Sequence, residues 1–212
     1  MSPGYYTLIM DISPDSFFAK PCNFVMGGVA LDLLPPMHYP EVAFAGRSNV
    51  GKSSLVNALT GKSTLAKSSN TPGRTREINF FLLADALMMV DLPGYGYAKA
   101  SKKDVAVWTK LVKDYLAGRP NLQRVCVLID SRHGLKDTDI EIMKLLDKVA
   151  VSYQLVLTKG DKIKPIELEQ VKEATLLKLK KHPAAHPEII ATSSNTKDGI
   201  SDLRAELARF VQ

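Results

Sequence analysis

Apolar residues along this chain follow two rhythms. Short continuous apolar runs recur at 42–46, 77–84, 86–91, 124–130, 151–157 and 188–192. Between them, at 52–60, 104–117, 137–149, 167–181 and 199–211, apolar residues return every three or four positions. In the last of these, Ile200, Leu203, Leu207, Phe210 and Val211 form one stripe. Runs such as Val125-Cys126-Val127-Leu128-Ile129 lack polar alternation, so both faces of that strand should be covered. The pattern predicts an α/β chain with a mostly parallel sheet between helical layers. Only Ala84-Asp85 separates 77–84 from 86–91, so these two segments should pair antiparallel as a hairpin. Residues 1–36 differ. They are rich in turn formers (Pro3, Gly4, Pro14, Pro21, Gly27, Gly28, Pro35, Pro36), and they are expected to form an N-terminal extension with one short strand near Phe24–Met26. The main domain then runs from 37 to 212.

The polar residues that end the strands carry the chemistry. After the run Val42–Ala45 comes Gly46-Arg47-Ser48-Asn49-Val50-Gly51-Lys52-Ser53, and a helix follows at once. This is G-x-x-x-x-G-K-S in the strand–loop–helix setting that gives it meaning. The loop's backbone N–H groups and the helix N-terminus can hold a triphosphate. Lys52 can reach the β- and γ-phosphates, and the Ser53 hydroxyl can ligate Mg²⁺. The run Met88–Val90 ends in Asp91-Leu92-Pro93-Gly94. Asp91 suits a Mg²⁺ partner acting through water, and Gly94 offers an N–H to a γ-phosphate; alone, D-x-P-G is also an ordinary turn. Leu155–Leu157 leads into Thr158-Lys159-Gly160-Asp161. Asp161 can accept hydrogen bonds from N1–H and the exocyclic amine of guanine, a donor pair that adenine lacks. Lys159 can lay its stem over the base. A fourth stretch, Thr192-Ser193-Ser194, follows Ile189–Ala191 and can give a backbone N–H to the guanine O6. Four such elements in this order point to GTP and GDP as ligands.

Two polar stretches, 62–76 and 93–103, fit neither rhythm and flank the phosphate site. Segments of this kind can be ordered by a γ-phosphate and released on hydrolysis. Thr75 is the favoured hydroxyl to complete the Mg²⁺ shell, with Thr71 as competitor. Tyr95 stands where many GTPases carry the Gln that orients water, so a slow rate in isolation is expected. Asn49 can supply an amide oxygen to a K⁺ ion, or can simply cap a turn.

Charge adds a partner. The net charge of +6 suggests a polyanion, RNA first, or else a solvated lysine-rich surface. Basic residues gather at Lys99, Lys102, Lys103, Lys110 and Lys113, and again at Lys172, Lys178, Lys180 and Lys181. Cys22 and Cys126 stand far apart, and Cys126 reads as a buried thiol in a reducing compartment. The four histidines show no metal-ligand spacing. No stretch approaches the ~20 apolar residues of a membrane span, and no basic segment leads into an apolar run near the start. A cytoplasmic monomer is expected.

Three further motif stretches add to these: Asn70-Thr-Pro-Gly-Arg-Thr75, Val90-Asp-Leu-Pro-Gly-Tyr-Gly-Tyr-Ala98 and Asp130-Ser-Arg-His-Gly-Leu-Lys-Asp137. Together the chain resembles the EngB family (YihA/YsxC), bacterial GTPases related to translation factors, over roughly residues 40 to 210. The resemblance implies a three-layer P-loop G domain with a mostly parallel six-stranded sheet and one antiparallel edge strand. It also implies a role in assembly of the large ribosomal subunit or its precursor, on rRNA, and in normal cell division and septation. Carried over by motif, Gly46 to Ser53 hold the phosphates, and Ser53 and Thr75 hold Mg²⁺. Gly73, Arg74, Thr75, Arg76 and Glu77 form the nucleotide-proximal part of the first switch. Asp91 to Gly94, Thr158 to Asp161 and Thr192 to Ser194 complete the pocket, while Lys52, Thr75 and Asn49 serve the reaction. Thr158 replaces the Asn of most such base motifs, as it does in the family, and the exchange is expected to loosen the tie between base site and phosphate loop. A GTP-dependent scaffold whose hydrolysis is incidental is the other functional reading.

Overall fold

The computed structural model describes residues 12–63, 65–66, 77–95 and 102–211, with side chains throughout except at 102–108. In chain order the described elements are α1 (Pro14–Phe18), β1 (Cys22–Gly28), β2 (Glu41–Gly46), α2 (Lys52–Thr60), β3 (Ile78–Leu83), β4 (Leu87–Asp91), α3 (Lys102–Gly118), β5 (Leu122–Asp130), α4 (Asp137–Lys148), β6 (Tyr153–Thr158), α5 (Pro165–Leu179), β7 (Ile190–Ala191) and α6 (Ile200–Ala208). The strands form one sheet in the order β1-β3-β4-β2-β5-β6-β7. β2 is parallel to β4 and β5, and β6 is parallel to β5 and β7. β3 pairs antiparallel with β1 and β4, so it alone runs against the rest. The expected hairpin is present. Its turn closes with Ala86 N–H donating to the Leu83 carbonyl at 3.0 Å, and Ala84 and Asp85 both take the left-handed conformation a tight hairpin requires.

The sheet thus has seven strands where six were expected. The added one is Cys22–Gly28, of which only the middle was marked in the sequence. It joins β3, which becomes an interior strand. Its residues do not alternate: Cys22 and Gly28 are buried and Asn23, Phe24 and Val25 are exposed, so the period-2 signal is missing. Two side-chain ends lie over its glycines. A Cβ at Gly27 would lie 2.5 Å from Glu77 Oε2, and one at Gly28 would lie 2.3 Å from Leu34 Cδ2.

Strand residues alternate between two cores. Val42, Phe44, Met89, Cys126, Leu128 and Val156 face α2 and α6, where Leu55, Leu59, Leu203 and Leu207 close the layer. Ala43, Ala45, Val90, Val127, Ile129 and Leu155 face α3, α4 and α5, through Leu111, Tyr115, Met143, Leu146 and Leu179. α1 was not expected. Ser13 starts it by accepting the Ser16 N–H at 3.3 Å, and it inserts the buried Phe17 and Phe18 into the first core. Arg204 on α6 fastens it: the guanidinium donates to the Leu59 and Ala58 carbonyls (2.9 and 3.2 Å), caps the end of α2, and reaches Asp15 at 2.8 Å.

Far from the strands' C-terminal ends, Glu41 accepts from Tyr115 Oη (2.9 Å) and from Arg119, whose Nη1 also reaches the Pro35 carbonyl at 2.9 Å. This buried, fully bonded group fixes the start of β2 against the end of α3. At the other end β2, β4, β5 and β6 finish side by side, at Gly46, Asp91, Asp130 and Thr158. In open α/β sheets that edge is where ligands bind. Both cysteines are free and buried, and burial raises their thiol pKa values, to about 11 for Cys22 and about 12 for Cys126.

Candidate nucleotide-binding site

β2 delivers the chain into the loop 46–51, and α2 leaves it. Gly51 at φ +106 forms the helix N-cap without a side-chain bond, so the first-turn N–H groups of this nine-residue helix carry no side-chain cap. Gly46 has to be small: a Cβ would lie 2.7 Å from Val50 Cγ1 and 3.1 Å from Leu128 Cβ. Lys52 forms an ion pair with Asp91, both side chains mostly shielded from water. Ser53 follows on the same helix start. Gly94 packs on the loop, where a Cβ would touch Ser48 N at 3.4 Å and the Gly46 carbonyl at 3.5 Å.

Tyr95 continues this contact. Its N–H donates to the Gly46 carbonyl (3.2 Å) and its carbonyl accepts from Ser48 N–H (3.0 Å). The ring turns away into the second core, 5% exposed, and Oη donates to Asp139 at 2.9 Å. Asp139, wholly buried, also accepts the Lys136 N–H (2.9 Å) at the start of α4 and lies 3.3 Å from Arg47 Nε. Burial raises the carboxyl pKa of Asp139 above its ordinary value, despite opposing bonds from Lys136, Tyr95 and Arg47. Burial and the Asp139 charge push the Tyr95 phenol well up. Residue 95 therefore presents no side chain to the phosphate site.

The base motif meets the loop from the other side. Thr158 Oγ1 donates to the Val50 carbonyl at 2.7 Å. Thr158, the residue expected to loosen this tie, thus bonds the loop directly. Lys159, at φ +59, sends Nζ to the Asn49 carbonyl at 2.6 Å and to Asp130 Oδ2 at 2.8 Å. Asp161 accepts from Ser193 Oγ at 2.8 Å, and that bond, with Lys162 beside it, holds the carboxyl below its ordinary pKa. Ser193 Oγ also accepts the Asn195 and Thr196 N–H groups, so its one proton is committed to Asp161. Thr192 bonds the Leu157 carbonyl through both N–H (2.6 Å) and Oγ1 (3.0 Å), and its own carbonyl accepts the Gly160 N–H at 3.1 Å. Ser193 N–H goes to the Asp198 carbonyl (3.0 Å). Gly199, with φ +65, sits so near Ala191 that a Cβ would lie 2.0 Å from that carbonyl, which locks the turn behind Thr192–Ser194.

The residues of the loop, Asp91 to Gly94, Thr158 to Asp161 and Thr192 to Ser194 thus share one edge of the sheet. Glu77 lies apart, its carboxyl over Gly27 of β1. Gly73, Arg74, Thr75 and Arg76, like Thr71 and Lys99, fall outside the described residues. Asp130 opens one of the motif stretches but was given no role from the sequence, and Asp139 was not singled out. Asp130 had a signal, since it ends the apolar run of β5 as Asp91 ends that of β4. Asp139 had only its place in the first turn of a helix.

The chain matches the family described as "50S ribosome-binding GTPase" over residues 41–159, more than half its length. A protein of Rhodospirillum rubrum named "Probable GTP-binding protein EngB" is 59% identical over 196 residues, 90% of this chain and 85% of the relative. One of the same name from Ruegeria pomeroyi is 57% identical over 205 residues, 93% and 94% of the two. This chain belongs to the EngB family. A crystal structure of a probable GTP-binding protein engB superposes with a TM-score of 0.64 at 25% identity, covering 80% of this chain and 98% of that one. The fold extends to Era, solved with MgGDPNP and a segment of 16S ribosomal RNA, at a TM-score of 0.63 and 24% identity, covering 84% of this chain and 58% of that one. As an EngB member this chain is a P-loop GTPase with a GTP/GDP site. No described helix is long and apolar enough to cross a membrane.

Proposed function

We propose that this EngB chain is a cytoplasmic GTP-hydrolysing switch that acts on the large ribosomal subunit or its precursor. The observation that carries the nucleotide reading is the double fastening of the base motif to the phosphate loop, Thr158 to Val50 and Lys159 to Asn49. In this reading Gly46 to Ser53 hold the phosphates and Asp161 selects guanine. Ser193 N–H is already engaged, which leaves Ser194 N–H for the guanine O6. Lys52 shares its charge between Asp91 and the β/γ-phosphates. Ser53 and Thr75 would give Mg²⁺ its two protein oxygens and Asp91, beside that lysine, would act on it through water, a set suited to an ion held mainly by phosphates and water. Mg²⁺ would screen the phosphate charge. Asn49 is exposed on the loop, its side-chain amide bonds none of the described residues, and it would hold K⁺ in the same service. Turnover in K⁺ and in Na⁺ at equal ionic strength, for the wild type and Asn49→Ala, tests this; equal wild-type rates in both salts remove the ion.

The ribosomal reading is supported by the family's description and by the +6 charge. Lys178, Lys180 and Lys181 are exposed at and just beyond the end of α5; Lys102 and Lys103 begin α3. The role in division and septation rests on the family resemblance. The scaffold reading draws on Tyr95, whose side chain is held in the core and leaves attacking water without a protein amide. Phosphate release with and without large-subunit particles separates the two: stimulation supports the switch, and an unchanged basal rate supports the scaffold. Binding to purified subunits should be stronger with GTP than with GDP. Removing one lysine–phosphate pairing should lower the log–log salt slope by about 1. Replacing Lys99, Lys102 and Lys103 with Ala is the first test, and Lys178 to Lys181 the second.

A further inference from the structure

Asp130 has no part in the roles above, yet its carboxylate takes four hydrogen bonds. Arg132 gives three: N–H at 3.1 Å and Nε at 2.9 Å to Oδ1, and Nη2 at 2.8 Å to Oδ2. Lys159 Nζ gives the fourth, at 2.8 Å. The residue is 4% exposed. Ser131 sets its place, since both its N–H (3.0 Å) and Oγ (2.7 Å) donate to the Thr158 carbonyl and pin the end of β5 to the end of β6.

We propose that Asp130 is a positioning residue for the guanine nucleotide: it fixes the Lys159 ammonium against the Asn49 carbonyl and so fastens the base pocket to the phosphate loop. This rests on the reading of Thr158–Asp161 as the base pocket. A lysine has a long, flexible stem and one point charge, and a single carbonyl is a weak anchor for it. Here two anchors oppose each other across the ammonium. Lys159 and Asn49 both hold left-handed backbone, φ +59 and +62, which aims the side chain and the carbonyl at the same spot. The stem between them passes close to Gly51, where a Cβ would meet Lys159 Cε at 3.7 Å. The Arg132 fork fills the remaining lone pairs of Asp130, so the carboxylate stays ionised and cannot swing. Burial would raise its pKa, but the Arg132 and Lys159 bonds outweigh burial and hold it well below the usual carboxylate range.

Asp130 lies on the base side of the loop. Its loss should therefore speed release of GDP and GTP alike and leave base preference, set by Asp161, untouched. The test uses the full chain with fluorescent N-methylanthraniloyl GDP and GTP in stopped flow. Asp130→Asn should release both nucleotides on the order of tenfold faster, as loss of one charge-assisted bond predicts. The effect should vanish in a Lys159→Met background, where the double variant releases no faster than Lys159→Met alone. Wild-type release from Asp130→Asn, or effects that multiply in the double variant, would overturn the proposal. Should Asp130→Asn fail to fold, Asp130→Glu moves the charge by one methylene: faster release supports the role, and unchanged release sinks it. Asp161→Asn measured alongside separates the two readings. If it leaves guanine-over-xanthine preference intact, the base pocket itself is misplaced. If it shifts that preference while Asp130→Asn behaves as wild type, only the role of Asp130 falls.

Discussion

The two ends of the phosphate loop are held in different ways. On the base side, polar side chains from strand ends bond directly to loop carbonyls: Thr158 to Val50 and Lys159 to Asn49. On the γ-phosphate side the backbone of Tyr95 zips onto Gly46 and Ser48, while its side chain is anchored elsewhere, on Asp139 of α4. The base side is closed by bonds between its own residues. The phosphate side keeps a lysine and a carboxylate, Lys52 and Asp91, paired to each other. In the proposed reading a nucleotide would share Lys52 with Asp91 on that side, whereas at the base it would fill a frame whose residues are bonded to one another.

Lys52→Ala should show the contrast most strongly. In the proposed reading it removes an ammonium that meets the phosphates, a loss of roughly 3 kcal/mol of binding, at the top of the range for bonds to charged groups, and it leaves Asp91 without its Lys52 partner. Titration with fluorescent GTP should give at least a hundredfold weaker binding, and retained affinity would mean the phosphates sit elsewhere. Asp161→Asn should cost about 2–4 kcal/mol of GTP affinity and shift preference toward xanthosine nucleotides, read by competition. Tyr95→Phe comes next. It deprives Asp139 of a buried donor and should lower stability by about 1–2 kcal/mol in urea melts. Turnover at saturating GTP should hold; a tenfold fall would bring Tyr95 into the reaction and dissolve the contrast.

The smallest effect is a pH signature. Asp130 sits below the ordinary carboxylate value, so its stabilising share is present above about pH 4 and is lost as pH falls through the lowered value. Asp139 sits above it, so its share is present below about pH 4 and is lost as pH rises through the raised value. Asp130→Asn should flatten the acid limb of the stability profile, and Asp139→Asn the limb above it. Urea midpoints across that range check both signs, and equal slopes in the two variants would erase the distinction.

The strand-end motifs were legible because short-range spacing defines them: G-x-x-x-x-G-K-S needs eight consecutive residues and D-L-P-G four. The hairpin and the long helices were legible from periodicity, with bounds mostly within two residues. α5 starts at Pro165, before its first apolar stripe, because Lys164 and Glu167 cap it through a 3.0 Å bond. What stayed hidden depends on long-range meetings between polar residues. Tyr95 and Asp139 are 44 positions apart, and no local pattern links a phenol to a carboxylate across that span. The outer strand β1 was only partly visible, because its residues do not alternate and its register shifts between Phe24 and Met26.

That outer strand has a consequence for how the chain is made. β1 ends at residue 28 and its partner β3 begins at 78, so about fifty residues must be synthesised before the pair can form. At roughly 5–20 residues per second, translation leaves the first strand waiting about 3–10 s without its neighbour. During that interval the backbone groups of β1 that β3 later pairs are available to any passing strand or chaperone. β1 is therefore made well before the strand that pairs with it, and ribosome pausing between codons 28 and 78 would lengthen the exposure of its backbone.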